Sequence, residues 1–315
     1  IYDDKANGIQ VRARVKWQEE GEKSTKYFLR LEKKHQCFNV ITKLKDDNKI
    51  VYEDSEILNT AVKFYEKLYA KDNTVTDTYI DDYLHNIILP NVVSEKEKEG
   101  CDLDINEEEV LNVINELKKN KSPGLDGLIP EFYKKFWPFI KHIFMNMLNE
   151  VFQFGELPDS AKKAVLALIF KKGDRDLLKN YRPISLTNYD YKIIAFVLAR
   201  RLQKVIPNIC NSDQTAYIKK RFIGCNARLI QDIMDYSELY NKKGVLLCLD
   251  FQKAFDTVNW DFMIKVLKKF NFGDKFIKWI EILYNDPRLV IKNNGWLSKE
   301  VRLSRGIRQG CPISF

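Results

Sequence analysis

Residues 245–249 read Val-Leu-Leu-Cys-Leu, and this unbroken apolar run stops at Asp250. No polar residue alternates with the apolar ones, so the run needs cover on both sides. The central strand of a sheet meets that need, and so does a short buried helical segment; periodicity alone leaves both open. Gly244 punctuates the start. A carboxylate where such a run ends is a helix cap or turn residue, or else it stands at the lip of a sheet where a metal ion can be held. Asp250 opens the stretch Asp250-Phe-Gln-Lys-Ala-Phe-Asp256, which favours the second reading.

The charge of the chain is unevenly placed. The net charge is +8 over 315 residues, and residues 161–230 hold fifteen Lys and Arg against four Asp and Glu. The whole basic excess therefore lies in one segment shortly before Asp250. A solvated lysine-rich face is one explanation and a polyphosphate partner the other. No apolar run approaches membrane-spanning length, so no membrane partner is expected. The six cysteines (Cys37, Cys101, Cys210, Cys225, Cys248, Cys311) form no Cys-x-x-Cys pair and only three histidines accompany them. That argues against a structural zinc site and fits a reducing, intracellular compartment. The first residue is Ile1, so the natural start is expected upstream.

Local patterns suggest an alternation of helices and strands. Residues 1–35 have helical spacing. Residues 40–44 and 49–52 read as a hairpin around Asp46-Asp47-Asn48, with a turn longer than the preferred two residues. Asp54 or Ser55 can cap a helix whose apolar side carries Ile57, Leu58, Ala61, Val62, Tyr65 and Leu68. Residues 71–100 read as acidic and loop-rich. Asn106 followed by Glu109 predicts a capping box, with Val110, Val113, Ile114 and Leu117 as the buried stripe. Lys121-Ser-Pro-Gly-Leu-Asp-Gly127 breaks the chain, either as a plain connection or as a loop whose backbone approaches a ligand. Residues 130–154 read as an aromatic-rich helix ended or kinked at Pro138, its stripe continuing through Phe139, Ile143, Phe144 and Leu148 to a stop at Gly155. Residues 164–170 and 180–186 read as strands. A helix from Asp190 to Ile206 is closed by Pro207 and exposes Arg200, Arg201 and Lys204. Helices follow over 226–240, 259–270 and 274–284, and short strands over 290–292 and 300–303.

Taken together, several separated motifs carry a resemblance. They are Arg14-Val-Lys-Trp-Gln-Glu-Glu-Gly-Glu-Lys-Ser-Thr-Lys-Tyr-Phe-Leu29, Ser122-Pro-Gly-Leu-Asp-Gly127 with Pro130-Glu-Phe-Tyr-Lys134, Asn180-Tyr-Arg-Pro-Ile-Ser-Leu186, Asp250-Phe-Gln-Lys-Ala-Phe-Asp256 and Arg308-Gln-Gly-Cys-Pro-Ile-Ser314. In that order, and over nearly the whole chain, the sequence resembles the reverse transcriptase region of non-LTR (LINE-type) retrotransposon polyproteins.

The resemblance implies an α+β fold: the fingers and partial palm of a right-hand polymerase over residues 121–315, an antiparallel sheet with packed helices. A mainly helical N-terminal extension over residues 1–120 would precede it. The implied activity is RNA-directed DNA polymerisation, with template RNA, a DNA primer or target and deoxynucleoside triphosphates as partners. No small-molecule cofactor is implied beyond two Mg²⁺ or Mn²⁺ ions, roughly 3.5–4 Å apart. Asp250 matches the first metal-binding aspartate, and Phe251 would add its backbone carbonyl. Phe255 matches the bulky residue that excludes a ribose 2′-hydroxyl, with packing on a helix face as the lesser alternative. Arg182 matches the arginine on the triphosphate, with Lys171 or Lys172 assisting unless these are solvated turn charges. Gln309 and Gly310 match the motif beneath the nucleotide and template base. Arg305 and Arg308 are template-phosphate candidates or ordinary surface arginines, and Lys219, Lys220 and Arg221 complete the basic wall.

One family motif, the aromatic-Ala-Asp-Asp hairpin that supplies the second carboxylates, does not occur in the sequence. Its absence implies that these 315 residues alone do not polymerise, and that the palm sheet lacks neighbouring strands and exposes an unpaired edge. The alternative is a non-catalytic nucleic-acid-binding remnant or a domesticated protein. The family implies the nucleus as its location.

Overall fold

The computed structural model describes residues 40–46 and 49–314. The helical spacing of residues 1–35, the motif over residues 14–29 and Cys37 lie outside the described residues. Two short strands, β1 (Leu44–Asp46) and β2 (Lys49–Val51), form the expected hairpin. Asp46 pairs with Lys49, and the two residues between them lie outside the described residues.

Helix α1 (Asp54–Tyr69) follows, with Glu53 at its cap position in place of Asp54 or Ser55. Residues 71–100 are not loop-rich: they hold α2 (Asp77–His85) and α3 (Glu95–Asp102). Both start on hydroxyl caps. Thr76 accepts from the Tyr79 N–H, and Ser94 with Glu97 forms a reciprocal capping box. The box at Asn106 and Glu109 opens α4 (Glu107–Glu116) as the spacing predicts.

Helix α5 (Pro130–Phe154) runs through Pro138 without ending there, and Gly155 closes it. Only part of its expected stripe is core. Phe144, Leu148 and Val151 are buried, whereas Phe139 and Ile143 face solvent. The short α6 (Asp159–Lys162) leads into β3 (Lys163–Phe170), which is followed by β4 (Tyr181–Thr187) and α7 (Tyr189–Ile209). Helix α7 continues two residues past Pro207. Then come α8 (Gly224–Leu239), α9 (Trp260–Lys269), α10 (Asp274–Leu283), β5 (Arg288–Asn293) and β6 (Trp296–Arg302). Asn294-Gly295, both at positive φ, joins β5 to β6 in a two-residue turn.

Four of these strands make one sheet in the order β4-β3-β5-β6. The β3–β4 and β5–β6 pairs are antiparallel, but β3 and β5 run parallel, so the sheet is mixed rather than antiparallel throughout. Alternate residues Ala164, Leu166 and Leu168 face a core with Ile291, Val301 and, from α1, Ile57, Ala61 and Tyr65. A second, all-helical core joins Val110 and Ile114 to Leu148, Ile194, Leu198 and Phe276, and so unites residues on both sides of position 120. Trp260 packs against both cores.

Arg201 does not lie on the exposed side of α7. It is 3% exposed. Its guanidinium donates to both carboxylate oxygens of Glu109 and to the carbonyls of Cys101, Leu103 and Asp104. Burial works against the Glu109 carboxylate, but the Arg201 bonds and charge outweigh it and hold the group below its usual pKa. Arg200, one residue earlier, pairs with the exposed Glu116. Arg201→Ala is therefore expected to cost about 3–5 kcal/mol in urea unfolding, because it strands a partly buried carboxylate and three carbonyls. Arg200→Ala should cost less than about 1 kcal/mol. Equal losses for the two would refute the assignment.

Candidate active site

The run that most strongly suggested a buried strand is not one. Residues 243–250 carry no ladder, and Val245 is 97% exposed, with Leu246, Leu247 and Leu249 also facing outward. A strand is stable only when its N–H and C=O groups meet a lateral neighbour, and no described strand pairs with these residues. The preceding helix α8 likewise buries none of its side chains. Asp250 and Phe251 are consequently exposed. Among the described residues no cluster of three or more His, Cys, Asp or Glu could hold a metal ion. The residues as arranged do not fit a two-ion centre.

The second half of the same motif is in place. The Lys253–Asp256 turn is closed by a bond from the Asp256 N–H to the Lys253 carbonyl, 2.8 Å. The Ile307 N–H donates to the Phe255 carbonyl at 2.7 Å, and the Gly306 N–H donates to the Val258 carbonyl at 2.8 Å. Phe255 remains 39% exposed, with its backbone fixed and part of its ring accessible. Gly306 has φ +86°, and a Cβ there would lie 2.5 Å from the Asp256 carbonyl oxygen. The Trp260 indole N–H closes the junction by donating to the Gly306 carbonyl at 2.8 Å.

The outer edge of β4 faces this turn. Arg182 lies opposite Ile169 and both are exposed; Pro183 lies opposite Leu168 and both are buried. Pro183 has no N–H to offer, which an edge strand tolerates. Two residues on, the Ser185 N–H donates outward to the Gln309 carbonyl at 2.8 Å. Gln309 and Gly310 thus lie against the outer edge of β4 at Ser185, Phe255 is tied to the same 304–309 segment through Ile307, and Arg182 stands three residues before Ser185 on the same strand. Lys171 and Lys172 are exposed in the connection from β3 to β4.

Two expected phosphate ligands are otherwise engaged. Arg308 is 2% exposed, stacks on the Tyr191 ring at 4.3 Å and donates to the Lys162 and Leu283 carbonyls. Arg221 donates to the carbonyls of Pro207, Cys210, Asn211 and Gln214, and so caps the end of α7. Burial and carbonyl bonding leave Arg308 no face for a phosphate, whereas Arg221 is partly exposed with both terminal nitrogens bonded to carbonyls. Arg305 is partly exposed; it donates to the Leu68 carbonyl and lies 3.6 Å from Asp72. Lys219 and Lys220 remain exposed.

Sequence reasoning missed a cavity of about 640 Å³ beside Gly310. Lys118, Lys121, Lys192, Arg200, Tyr189 and Phe196 contribute to its lining. The Lys192 ammonium sits 4.3 Å from the Tyr189 ring centre, and burial lowers its pKa. The Ser122-Pro-Gly-Leu-Asp-Gly127 loop lines one side through Ser122. A Cβ on Gly124 would lie 2.0 Å from Asn188 Oδ1, so the close approach there is to the chain's own β4–α7 junction.

A sheet edge presenting an arginine, with a fixed turn and a basic aromatic cavity beside it, is an arrangement suited to a nucleotide and a polynucleotide strand. Residues 169–314 match the family described as reverse transcriptase (RNA-dependent DNA polymerase), and this part of the chain is a reverse transcriptase domain. The chain is 36% identical over 310 residues, 98% of its own length, to an uncharacterized 149 kDa protein of transposon TX1 from Xenopus laevis. It is 25% identical over 62% of its length to the Pol polyprotein of the R2DM element of Drosophila melanogaster, and 27% identical over 66% to that of an R1 element of Bradysia coprophila. It belongs to the LINE-type, non-LTR retrotransposon reverse transcriptases. It spans 23%, 18% and 20% of those three relatives.

Gly306→Ala should lower stability by about 1–3 kcal/mol, since both its φ and the facing Asp256 carbonyl oppose a side chain. Gly295→Ala carries a similar φ with open space around it and isolates the strain from the collision. Indistinguishable unfolding midpoints for the two variants would mean that the 304–309 segment does not press on Asp256.

Proposed function

We propose that this chain forms part of an RNA-directed DNA polymerase, a reverse transcriptase of a non-LTR retrotransposon that copies template RNA from a DNA primer. The observation that supports the reading is that β4, which carries the exposed Arg182, is joined at Ser185 to Gln309, and that the segment holding Gln309 also holds Phe255, all within the reverse transcriptase domain. Arg182 would clamp the triphosphate, since an exposed guanidinium on a rigid strand offers paired N–H donors to phosphate oxygens. Phe255 would lie under the sugar and exclude a 2′-hydroxyl by contact. The cavity beside Gly310 would take unpaired template, with lysines for the backbone and Phe196 for a base. The family generally uses divalent metal ions; as arranged here the residues do not hold one, and Asp250 would contribute one carboxylate only if further ligands were brought to it. The location that fits such a polymerase is the nucleus, where its target DNA lies.

The test is primer extension by a longer polyprotein containing this chain, with RNA template, DNA primer and deoxynucleotides. Asp250→Ala should reduce the rate by at least about 100-fold. Arg182→Ala should raise the nucleotide KM by about tenfold or more, and Arg182→Lys should restore only part of it, since an ammonium lacks the paired donors. The 315 residues alone should yield no template-dependent product. Product from them that Asp250→Ala abolishes would overturn that expectation, and extension indifferent to Asp250→Ala would overturn the assignment of the site.

A further inference from the structure

Helix α1 lies outside the matched domain, yet it ends inside the candidate site. Its last carbonyls have no partner within the helix. The Ser304 N–H donates to the Tyr69 carbonyl and Arg305 Nε donates to the Leu68 carbonyl, both at 3.0 Å. The Tyr69 ring is 2% exposed and stacked on Tyr65 at 5.9 Å between centroids. Its hydroxyl donates to Asp256 Oδ1 at 3.4 Å, and the Gln309 carboxamide donates to the same oxygen at 2.9 Å.

Asp256 is 4% exposed. Burial raises its pKa against the opposing pull of the Gln309 bond, the Lys253 charge and the Tyr69 bond. A carboxylate buried in this way costs stability that an apolar residue of similar size would not. The arrangement does give Gln309 two restraints: its carbonyl is held by the Ser185 N–H and its carboxamide nitrogen by Asp256. With the nitrogen committed to Asp256, the carboxamide oxygen is left as an acceptor. The neighbouring Phe255 is held by the same 304–309 segment through the Ile307 N–H.

We propose that Tyr69 and Asp256 are positioning residues that orient the Gln309 carboxamide, so that its oxygen accepts from the incoming deoxynucleotide. Helix α1 is thereby part of the nucleotide-selecting apparatus. This inference rests on the polymerase reading given above. It assigns a role in binding, realised through Gln309, to two side chains that do not themselves touch the nucleotide.

The test is steady-state primer extension by the polyprotein with varied deoxynucleotide. Asp256→Ala should raise KM by about tenfold and change kcat by less than about threefold, the pattern of lost binding rather than lost chemistry. Asp256→Asn keeps an oxygen that can accept both bonds and should return KM to within about threefold of the parent. Tyr69→Phe should raise KM by a smaller factor. The double variant Asp256→Ala/Gln309→Ala should be no worse than about twofold beyond Asp256→Ala, because both act on one contact. Effects that multiply, an Asn variant as impaired as Ala, or a fall in kcat at constant KM would each overturn the proposal. A parent polyprotein that does not extend primers would instead overturn the polymerase reading. In that case unfolding midpoints of the 315-residue chain test the network directly: the Asp256 and Gln309 substitutions should be non-additive, and additive shifts would overturn the coupling.

Discussion

Strand β3 holds the sheet together, because it is bonded along both of its edges, antiparallel to β4 and parallel to β5. Its alternation sets the rest. Ala164, Leu166 and Leu168 turn toward α1, so the opposite face of β3 ends on the exposed Ile169. Register then decides where β4 points. Arg182 opposite Ile169 must share the open side, and Pro183 opposite Leu168 must share the closed one. A slip of one residue would bury the guanidinium and expose the ring. Among the described residues no strand lies beyond the outer edge of β4, and the Gln309 carbonyl takes up the Ser185 N–H there. Backbone pairing at β3 thus places both Arg182 and Gln309.

The basic excess over residues 161–230 divides into two physical roles. Arg201 and Arg221 point inward and bind carbonyls that helix ends and turns leave without partners. A planar guanidinium with five donors suits that task better than an ammonium. Lys162 and Lys163 pair with Glu156, Asp159 and Glu300, all from outside the segment. The positive charge left to face a polyanion is therefore smaller than the count of side chains, and it includes the β3–β4 connection, the exposed Lys219 and Lys220, and Lys192 in the cavity beside Gly310.

Legibility in the sequence follows the range of the interactions. The capping box at Asn106 and the paired helices after Asn259 depend on neighbours within a few residues, and they stand where the pattern places them; strands β3 and β4 also stand where their apolar patterns place them, although their pairing is long-range. The Asn294-Gly295 turn was equally local, and the dipeptide alone could have marked it. Residues 245–249 fail for the opposite reason. Their apolar character states a demand for cover, but the cover must come from elsewhere in the chain, and no described segment supplies it. Pro138 and Pro207 show the same limit from the other side, since packing of the helical core holds α5 and α7 together through residues that local propensity would use as breaks.

The candidate site shows why motifs identify a family sooner than they describe its machinery. Arg182, Phe255 and Gln309 were each visible as members of short signatures. What fixes them is spread over Tyr69, Ser185, Asp256 and Gly306, which have no shared spacing. Tyr69 in particular reads as one more aromatic on the apolar side of α1, four residues after Tyr65 and stacked on it. Nothing in helical periodicity separates the tyrosine that only packs from the one whose hydroxyl reaches a carboxylate 187 positions away. The separating fact is Asp256, a buried charge held among groups that can satisfy it. A buried carboxylate costs stability unless its partners satisfy it, and of the two side chains that donate to Asp256, Gln309 is the one it is proposed to orient.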